Sequence, residues 1–474
     1  MSETKFRDLV RVFVKGGIIS PGDLLKILLV AHKVGSEYIH IGSRQDILFP
    51  VPDDSQADLD SLFQEIDLQY ELEDFHYQNI ASSYVALDIQ PSKQWLVAHL
   101  YQYILNSFDY NPKLRINIVD PSQSMVPLFT GNINFIASDY ENFWFVYLRF
   151  TDQNSGKPWQ LPFLLYGEEI SAFSKKIEEL NDQNPQIEYA EIYNVLKTLA
   201  FKTQPLSEKL TLPEVNFSYY EGINRMPDGK YWLGLYWRNN KFSVNILEAI
   251  CSRCLNTDIG VITLTPWKSL IIKGIMENHR VGWEKLMGKS GMNLRHSSLE
   301  LNWHLPVRDR EALDLKVELV RTLDQQDIST YGLSFTIKTS EDITPFSTVV
   351  IEKNNLHNTY NILYSKDFNP NLMDYQLYAR NVEKESIAAL LIELSHIYYD
   401  NLPEDNVFHN MGDTLVQNLK KDLYQCSRCK TLYDEEYGDP QNSIKAGVAF
   451  ADLPVSYQCP LCGSEKALYE RAIF

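Results

Sequence analysis

ISPGDLLKILLVAHKVGSEYIHIGSRQDILFPV, residues 19–51, is written a second time further along the chain. Its partner, FSVNILEAICSRCLNTDIGVITLTPWKSLIIKG at residues 242–274, lies over it without gaps at an offset of 223, Ser20 meeting Ser243. Each serine precedes an apolar-periodic run and predicts a helix N-cap, because its hydroxyl can accept from an otherwise unpaired backbone N–H. Leu24, Ile27, Leu28 and Ala31 then meet Leu247, Ile250, Cys251 and Cys254 at the spacing of a buried helical face. A strand follows in each copy, at 38–41 and 261–264. After a short turn comes a second, at 47–49 and 270–272.

The duplication continues. Leu96, Leu100 and Ile104 align with Leu315, Leu319 and Leu323 at an offset of 219, and LRINIV (114–119) aligns with LSFTIK (333–338) at the same offset. Both copies run into an amphipathic helix, around 170–180 and 387–394. Two copies are too few for a repeat array, so the expected fold class is α+β: two tandem α/β repeats related by a pseudo-twofold axis. The expected bounds are 1–210 and 211–400 for the repeats, 401–421 for a polar linker and 422–474 for a small terminal module.

Composition sets the limits within which these units act. The chain has 474 residues, 44% hydrophobic and 22% charged, with 62 acidic against 44 basic residues and a formal net charge of −18. Such an excess of acid argues against nucleic acid as a partner, where a basic footprint supplies the affinity. It suits a partner with a basic face, and equally a chain that is merely kept soluble. No apolar run reaches membrane-spanning length; LLKILLVA (24–31) is short and interrupted. The first residues lack the pattern of a secretory signal, and the expected compartment is the cytoplasm.

Four of the six cysteines fall in the last fifty residues, as Cys426-x-x-Cys429 and Cys459-x-x-Cys462. Each C-x-x-C turn folds into a knuckle whose backbone N–H groups face the sulfurs, and two knuckles make a tetrahedral S4 site that suits zinc or iron. The intervening residues include Tyr433, Asp434, Gly438, Asp439, Pro440, Gly447, Phe450, Leu453, Pro454 and Tyr457, followed by Cys-Pro-x-Cys-Gly, Lys466 and Tyr469. In that order they resemble rubredoxin along residues 424–470. The resemblance implies one iron, cycling between ferric and ferrous, on Cys426, Cys429, Cys459 and Cys462, above a core of Tyr424, Tyr433, Phe450, Tyr457 and Tyr469. Zinc would serve as a substitute that only staples the tail. Three positions depart from the family pattern: Lys430 replaces glycine, Tyr457 tryptophan and Tyr469 phenylalanine. None of them is a ligand.

GSRQDILF (42–49) and TLTPWKSLII (263–272) carry a second resemblance, to the ferredoxin-like half-repeats of nitrite and sulfite reductases that use sirohaem. It implies that Arg44 contacts tetrapyrrole carboxylates; the counterpart in the second copy is Trp267. Lys113, Arg115, Arg149, Lys268 and Lys273 are further cations in the right regions. Active members also hold an iron–sulfur cube on four cysteines. The corresponding stretches, 81–89, 120–131, 295–306 and 339–346, contain none. The cube has no ligands here, sirohaem is not expected, and this chain alone is not expected to be an enzyme.

The remaining signals are weaker. Cys251 and Cys254 form another C-x-x-C, but they sit on the helical core face with no second pair to complete, and buried cysteine packs as a small hydrophobe. The ten histidines show no metal-ligand spacing, and no nucleotide-binding motif occurs. An external donor, of ferredoxin or rubredoxin-reductase type, is therefore needed. Three functions stay open. The first is an electron carrier whose body docks an acceptor redox enzyme, such as a nitrite or sulfite reductase. The second is a tetrapyrrole-binding protein with a redox tail. The third is a non-catalytic assembly factor with structural zinc.

Overall fold

The computed structural model describes residues 8–52, 58–72, 76–150, 153, 156–213, 221–292, 300, 302–326, 328, 330, 332–340, 343–402, 424–429, 431–435, 438–439, 442, 444–445 and 447–471. Two compact units result, Met1–His396 and Ile397–Phe474. The proposed linker at 401–421 lies outside the described residues after Leu402.

The first repeat opens with β1 (Asp8–Val12), β2 (Ile18–Ile19), α1 (Pro21–Lys33), β3 (Tyr38–Ile41), β4 (Ile47–Val51), α2 (Leu59–Ile66) and β5 (Tyr70–Leu72). It continues with β6 (Ala81–Ser82), α3 (Ala98–Asn106), β7 (Ile116–Val119), β8 (Ile133–Ala137), β9 (Phe143–Leu148), β10 (Trp159–Tyr166), α4 (Ile170–Gln183), α5 (Tyr189–Leu196) and β11 (Thr203–Pro205). The second opens with β12 (Gly222–Arg225), β13 (Tyr231–Tyr236), β14 (Phe242–Ser243), α6 (Val244–Leu255), β15 (Ile262–Leu264), β16 (Ser269–Ile275) and α7 (Glu277–Ser290). Then come β17 (Trp303–His304), α8 (Arg310–Gln325), β18 (Phe335–Lys338), β19 (Val349–Asn354), β20 (Thr359–Ser365), β21 (Tyr375–Val382) and α9 (Ile387–Asp400).

Most elements of the two sets correspond in chain order, the exceptions being β5, α5 and β11 of the first and β12 of the second. Asp8 pairs with Tyr231 and Pro21 with Val244 at an offset of 223, Ile116 with Phe335 at 219, and Trp159 with Tyr375 at 216. The backbone repeats even where side chains differ. Gly16 and Gly17 (φ 65° and 69°) meet Asn239 and Asn240 (φ 63° and 54°), and Gln45 (φ 60°) meets Lys268 (φ 59°). Glycine and asparagine are the residues that tolerate this left-handed region, whereas Gln45 and Lys268 must be held there by their surroundings. Ser20 caps α1 as expected, its hydroxyl accepting from the Asp23 N–H at 2.9 Å. Ser243 occupies the matching position of α6, but its side chain makes no cap hydrogen bond.

Each repeat contributes two sheets, and the repeats trade strands. The first sheet runs β14-β3-β4-β1-β5 and its counterpart β12-β13-β16-β15-β2. Strand β14 of the second repeat therefore closes the first repeat's sheet, pairing Phe242 with Ile39, while β2 of the first repeat pairs Ile19 with Ile262 of the second. For this reason the repeats expected at 1–210 and 211–400 make one compact unit rather than two bodies. The other two sheets run β11-β10-β9-β8-β7-β6 and β17-β18-β19-β20-β21, each parallel over three strands and antiparallel beyond.

Helices α1 and α6 meet face to face beneath the exchanged sheets. Leu24, Ile27, Leu28 and Ala31 share one core with Leu247, Ile250, Cys251 and Cys254, and every one of them is at most 1% exposed. Burying a large aliphatic side chain of this kind contributes about 1.5–3 kcal/mol. Cys251 and Cys254 are free, and burial raises both thiol pKa values, Cys251's to about 12. That is the state of an inert packing residue. Replacing both with alanine should lower stability by roughly 1–3 kcal/mol in denaturant unfolding, while leaving metal content and visible spectrum unchanged; a lost chromophore would show that the pair is chemical after all.

Candidate metal centre

The second unit brings its four cysteine sulfurs within 4.8 Å of one another. Strands β22 (Tyr424–Cys426), β23 (Leu432–Tyr433) and β24 (Tyr469–Arg471) form a small sheet in the order β23-β22-β24, with Cys426 opposite Tyr469. Each knuckle closes in the same way: the Cys426 N–H donates to the Thr431 carbonyl at 2.9 Å, and the Cys459 N–H to the Ser464 carbonyl at 2.8 Å. Gly463 takes the left-handed conformation that turns the second knuckle, at φ 68°. Its partner position, Lys430, lies outside the described residues.

Cys426 and Cys462 sulfurs are 3.8 Å apart, and those of Cys429 and Cys459 3.4 Å. A tetrahedron with metal–sulfur bonds of about 2.3 Å has edges of about 3.8 Å, so the donor set fits one tetrathiolate ion. The backbone N–H groups of Cys429 and Arg428 favour the Cys426 thiolate and bring its pKa below the ordinary thiol value. Cys426 and Cys459 are buried, whereas Cys429 and Cys462 are half-buried. Beneath them the expected aromatics assemble: Tyr424 stacks on Phe450 at 4.1 Å, and Tyr433, Tyr457 and Tyr469 complete the ring cluster. Tyr457 uses the hydroxyl that a tryptophan would lack, donating to Asp439 Oδ2 at 2.8 Å.

In the first unit Arg44 and Arg149 both lie near enough to Arg115 to feel its charge, but each of the cations named from sequence apart from Lys268 is taken up by the protein's own groups. The Arg44 guanidinium faces its own repeat, donating to Asn117 Oδ1 at 2.6 Å and to the carbonyls of Ile116 (2.6 Å) and Asn79 (3.0 Å). Burial first, then Arg115, brings its pKa down to about 9. Lys113 pairs with Asp182, Arg115 donates to Thr344, Arg149 to the Gly156 carbonyl and Lys273 to the Leu87 carbonyl. Trp267, the counterpart of Arg44, is buried in an apolar cluster against Phe346. Among the described residues, no thiol stands where a cysteine-held cluster would need one, because Cys251 and Cys254 lie in the core and the other four lie in the tail.

Lys268 is different. It lines a cavity of about 700 Å³ between the repeats, with His40, Asn240, Trp303, Arg308 and Lys316. Lys268 is 5% exposed, and among the described residues its ammonium makes no hydrogen bond or ion pair. Burial, then Lys316, pushes its pKa down to about 7. Lys316 is satisfied by Glu300 at 3.0 Å and Tyr236 at 2.9 Å. His40 Nδ1 lies 2.6 Å from the Asn240 carbonyl, which must accept; burial drops its pKa to about 4, so the ring is neutral and Nε2 is its acceptor nitrogen. The sequence named Lys268 only as one cation among several, and His40 is one of ten histidines that show no metal-ligand spacing. Neither carries a local motif, because the cavity joins residues more than 200 positions apart.

Two outcomes follow from these sites. Cys429→Ser should remove or badly weaken metal binding while the body stays folded, read by metal analysis together with circular dichroism. For Lys268, the folded pKa of about 7 lies below the ordinary lysine value. Below pH 7 the buried charge costs its full penalty; between about 7 and 10 the unfolded chain binds more protons, so stability rises with pH. Lys268→Met should therefore raise stability by roughly 1–3 kcal/mol at pH 6 and by progressively less towards pH 10, measured by thermal unfolding across pH.

Comparison with known proteins agrees with this geometry. The rubredoxin family profile matches residues 423–469, and that of the nitrite/sulfite reductase ferredoxin-like half domain matches residues 5–67. Rubredoxin of Megasphaera elsdenii is 51% identical over 45 residues, 10% of this chain and 85% of that protein. The high molecular weight rubredoxin of Moorella thermoacetica is 46% identical over 53 residues, 11% of this chain and 23% of that one. Rubredoxin of Trichormus variabilis is 34% identical over 59 residues, 12% of this chain and 53% of its own length. The chain thus spans a quarter to a half of these last two relatives. The solved structure of Mycobacterium tuberculosis NirA superposes with a TM-score of 0.64 over 86% of this chain and 83% of that one, at 12% identity, so the two share a fold. The body has a nitrite/sulfite reductase-like fold, and through residues 423–469 the chain belongs to the rubredoxin family.

Proposed function

We propose that the protein is a cytoplasmic electron carrier in which Cys426, Cys429, Cys459 and Cys462 ligate one iron. The observation that carries this reading is the four-sulfur cluster in its rubredoxin setting. Bound iron would supply reversible one-electron chemistry with no open coordination position for a substrate. The half-buried Cys429 and Cys462 offer the shortest path between that centre and a partner. The body, with no thiols for a cluster, recognises the acceptor and holds the tail's electron close to it. Tethering of this kind raises the effective concentration of donor at acceptor. The fold suggests an acceptor of nitrogen or sulfur assimilation, such as a nitrite or sulfite reductase, and a donor of ferredoxin or rubredoxin-reductase type. No helix among the described residues is long and apolar enough to cross a membrane.

One observation favours a second reading, in which the body holds a tetrapyrrole or similar polycarboxylate. Lys268 is a buried ammonium with no hydrogen-bond or ion-pair partner among the described residues, and it opens on a cavity of about 700 Å³. Arg44, the residue that the resemblance offers for such a ligand, is not among the described residues lining that cavity.

A visible absorption spectrum with metal analysis on protein purified in air separates these readings. Ferric tetrathiolate bands that bleach with dithionite, with one iron per chain and no tetrapyrrole bands, are the expected result. Added tetrapyrrole bands would establish the second reading. A colourless zinc protein would remove electron transfer and leave an assembly factor with a stapled tail.

A further inference from the structure

We propose that Thr431 and Ser464 set the reduction potential of the tail's metal centre by donating side-chain O–H···S hydrogen bonds to Cys429 and Cys462. This rests on the reading of the four cysteines as iron ligands. Thr431 Oγ1 lies 3.1 Å from Cys429 Sγ, and Ser464 Oγ lies 3.0 Å from Cys462 Sγ. Each hydroxyl belongs to the second residue after the closing cysteine of its knuckle, CSRCKT in one and CPLCGS in the other. Each of these residues also accepts the N–H of its knuckle's first cysteine, so the backbone fixes where the hydroxyl stands. A metal-bound thiolate has no proton to give, and in each pair the hydroxyl must therefore be the donor.

The two contacts act on the half-buried pair of sulfurs, Cys429 and Cys462. Ser464 itself is 5% exposed, so water does not replace its hydrogen bond. When one electron arrives, ferric iron becomes ferrous, no bond forms or breaks, and the site becomes one unit more negative. Hydrogen-bond donors aimed at the sulfurs favour that more negative form. Thr431 and Ser464 therefore make the centre easier to reduce than the backbone N–H groups of the knuckles alone would.

The test is a potentiometric titration of the full chain carrying Thr431→Val, Ser464→Ala or both, with Thr431→Ser as the conservative control. Each loss should shift the ferric-to-ferrous ratio at a fixed ambient potential roughly three- to tenfold towards ferric, and the double variant should approach the product of the two. Thr431→Ser should restore the wild-type value. Cadmium-113 substitution gives a readout independent of redox: the Thr431 and Ser464 hydroxyl protons should exchange slowly with solvent and couple to the metal. Iron-loaded variants with wild-type potentials, a shift that Thr431→Ser fails to rescue, or freely exchanging hydroxyl protons would each overturn the proposal. Wild-type protein that takes up no iron would instead overturn the electron-carrier reading, and metal analysis tells the two failures apart.

Discussion

The body depends on a reciprocal exchange. Two short strands, β2 and β14, each complete the sheet of the opposite repeat, and the helices that follow them, α1 and α6, share one core. A strand of two residues is worth little alone. Here each is held because the next element in its chain is a helix buried against the other repeat. Neither repeat can close its sheet without the other. The exchange also brings His40 and Ile41 of the first repeat against Asn240 of the second, whose side chain accepts from the Ile41 N–H and donates to the Ile41 carbonyl.

Within that symmetric frame the two halves have been given different chemistry at the same backbone position. Gln45 and Lys268 share a left-handed conformation. Gln45 is held by donating to the carbonyls of Ser82 and Leu264 and accepting from the Ser82 N–H. The Lys268 N–H donates to the Thr265 carbonyl at 3.3 Å, and its ammonium opens on a cavity. One residue earlier, Arg44 knits the two sheets of the first repeat together, where Trp267 packs against Phe346. The same backbone thus carries the hydrogen-bonded Arg44 and Gln45 in one repeat and the buried Trp267 beside Lys268 in the other.

The tail solves a problem of charge density. Four sulfurs that must all be thiolates are gathered within 4.8 Å, and their repulsion has to be answered by a metal and by donors aimed at them. Backbone N–H groups from the knuckles answer part of it, and Thr431 and Ser464 place hydroxyls beside the two sulfurs nearest the surface. The aromatic cluster beneath fixes the knuckles in place, with Tyr457 anchored on Asp439 and Tyr433 on the Val448 carbonyl.

Much of this was legible in the sequence. The helical faces of α1 and α6, the strands β3, β4, β15 and β16 and the four clustered cysteines all follow from local periodicity and spacing, which a linear chain displays directly. Ser243 marked the start of its helix without forming the cap, because propensity fixes position more firmly than it fixes a particular hydrogen bond. Nothing local announced the traded strands, the cavity holding Lys268 and His40, or the direction in which Arg44 points. Those join residues some 70 to more than 200 positions apart, through contacts such as Arg44 with Asn117 and Ile39 with Phe242. The sequence by itself determined the duplicated α+β body and the tetrathiolate tail. Only the tertiary structure decided which cations are spent on the protein's own groups and that Lys268 is buried facing a cavity, because burial and pairing depend on what the rest of the fold packs against each charge.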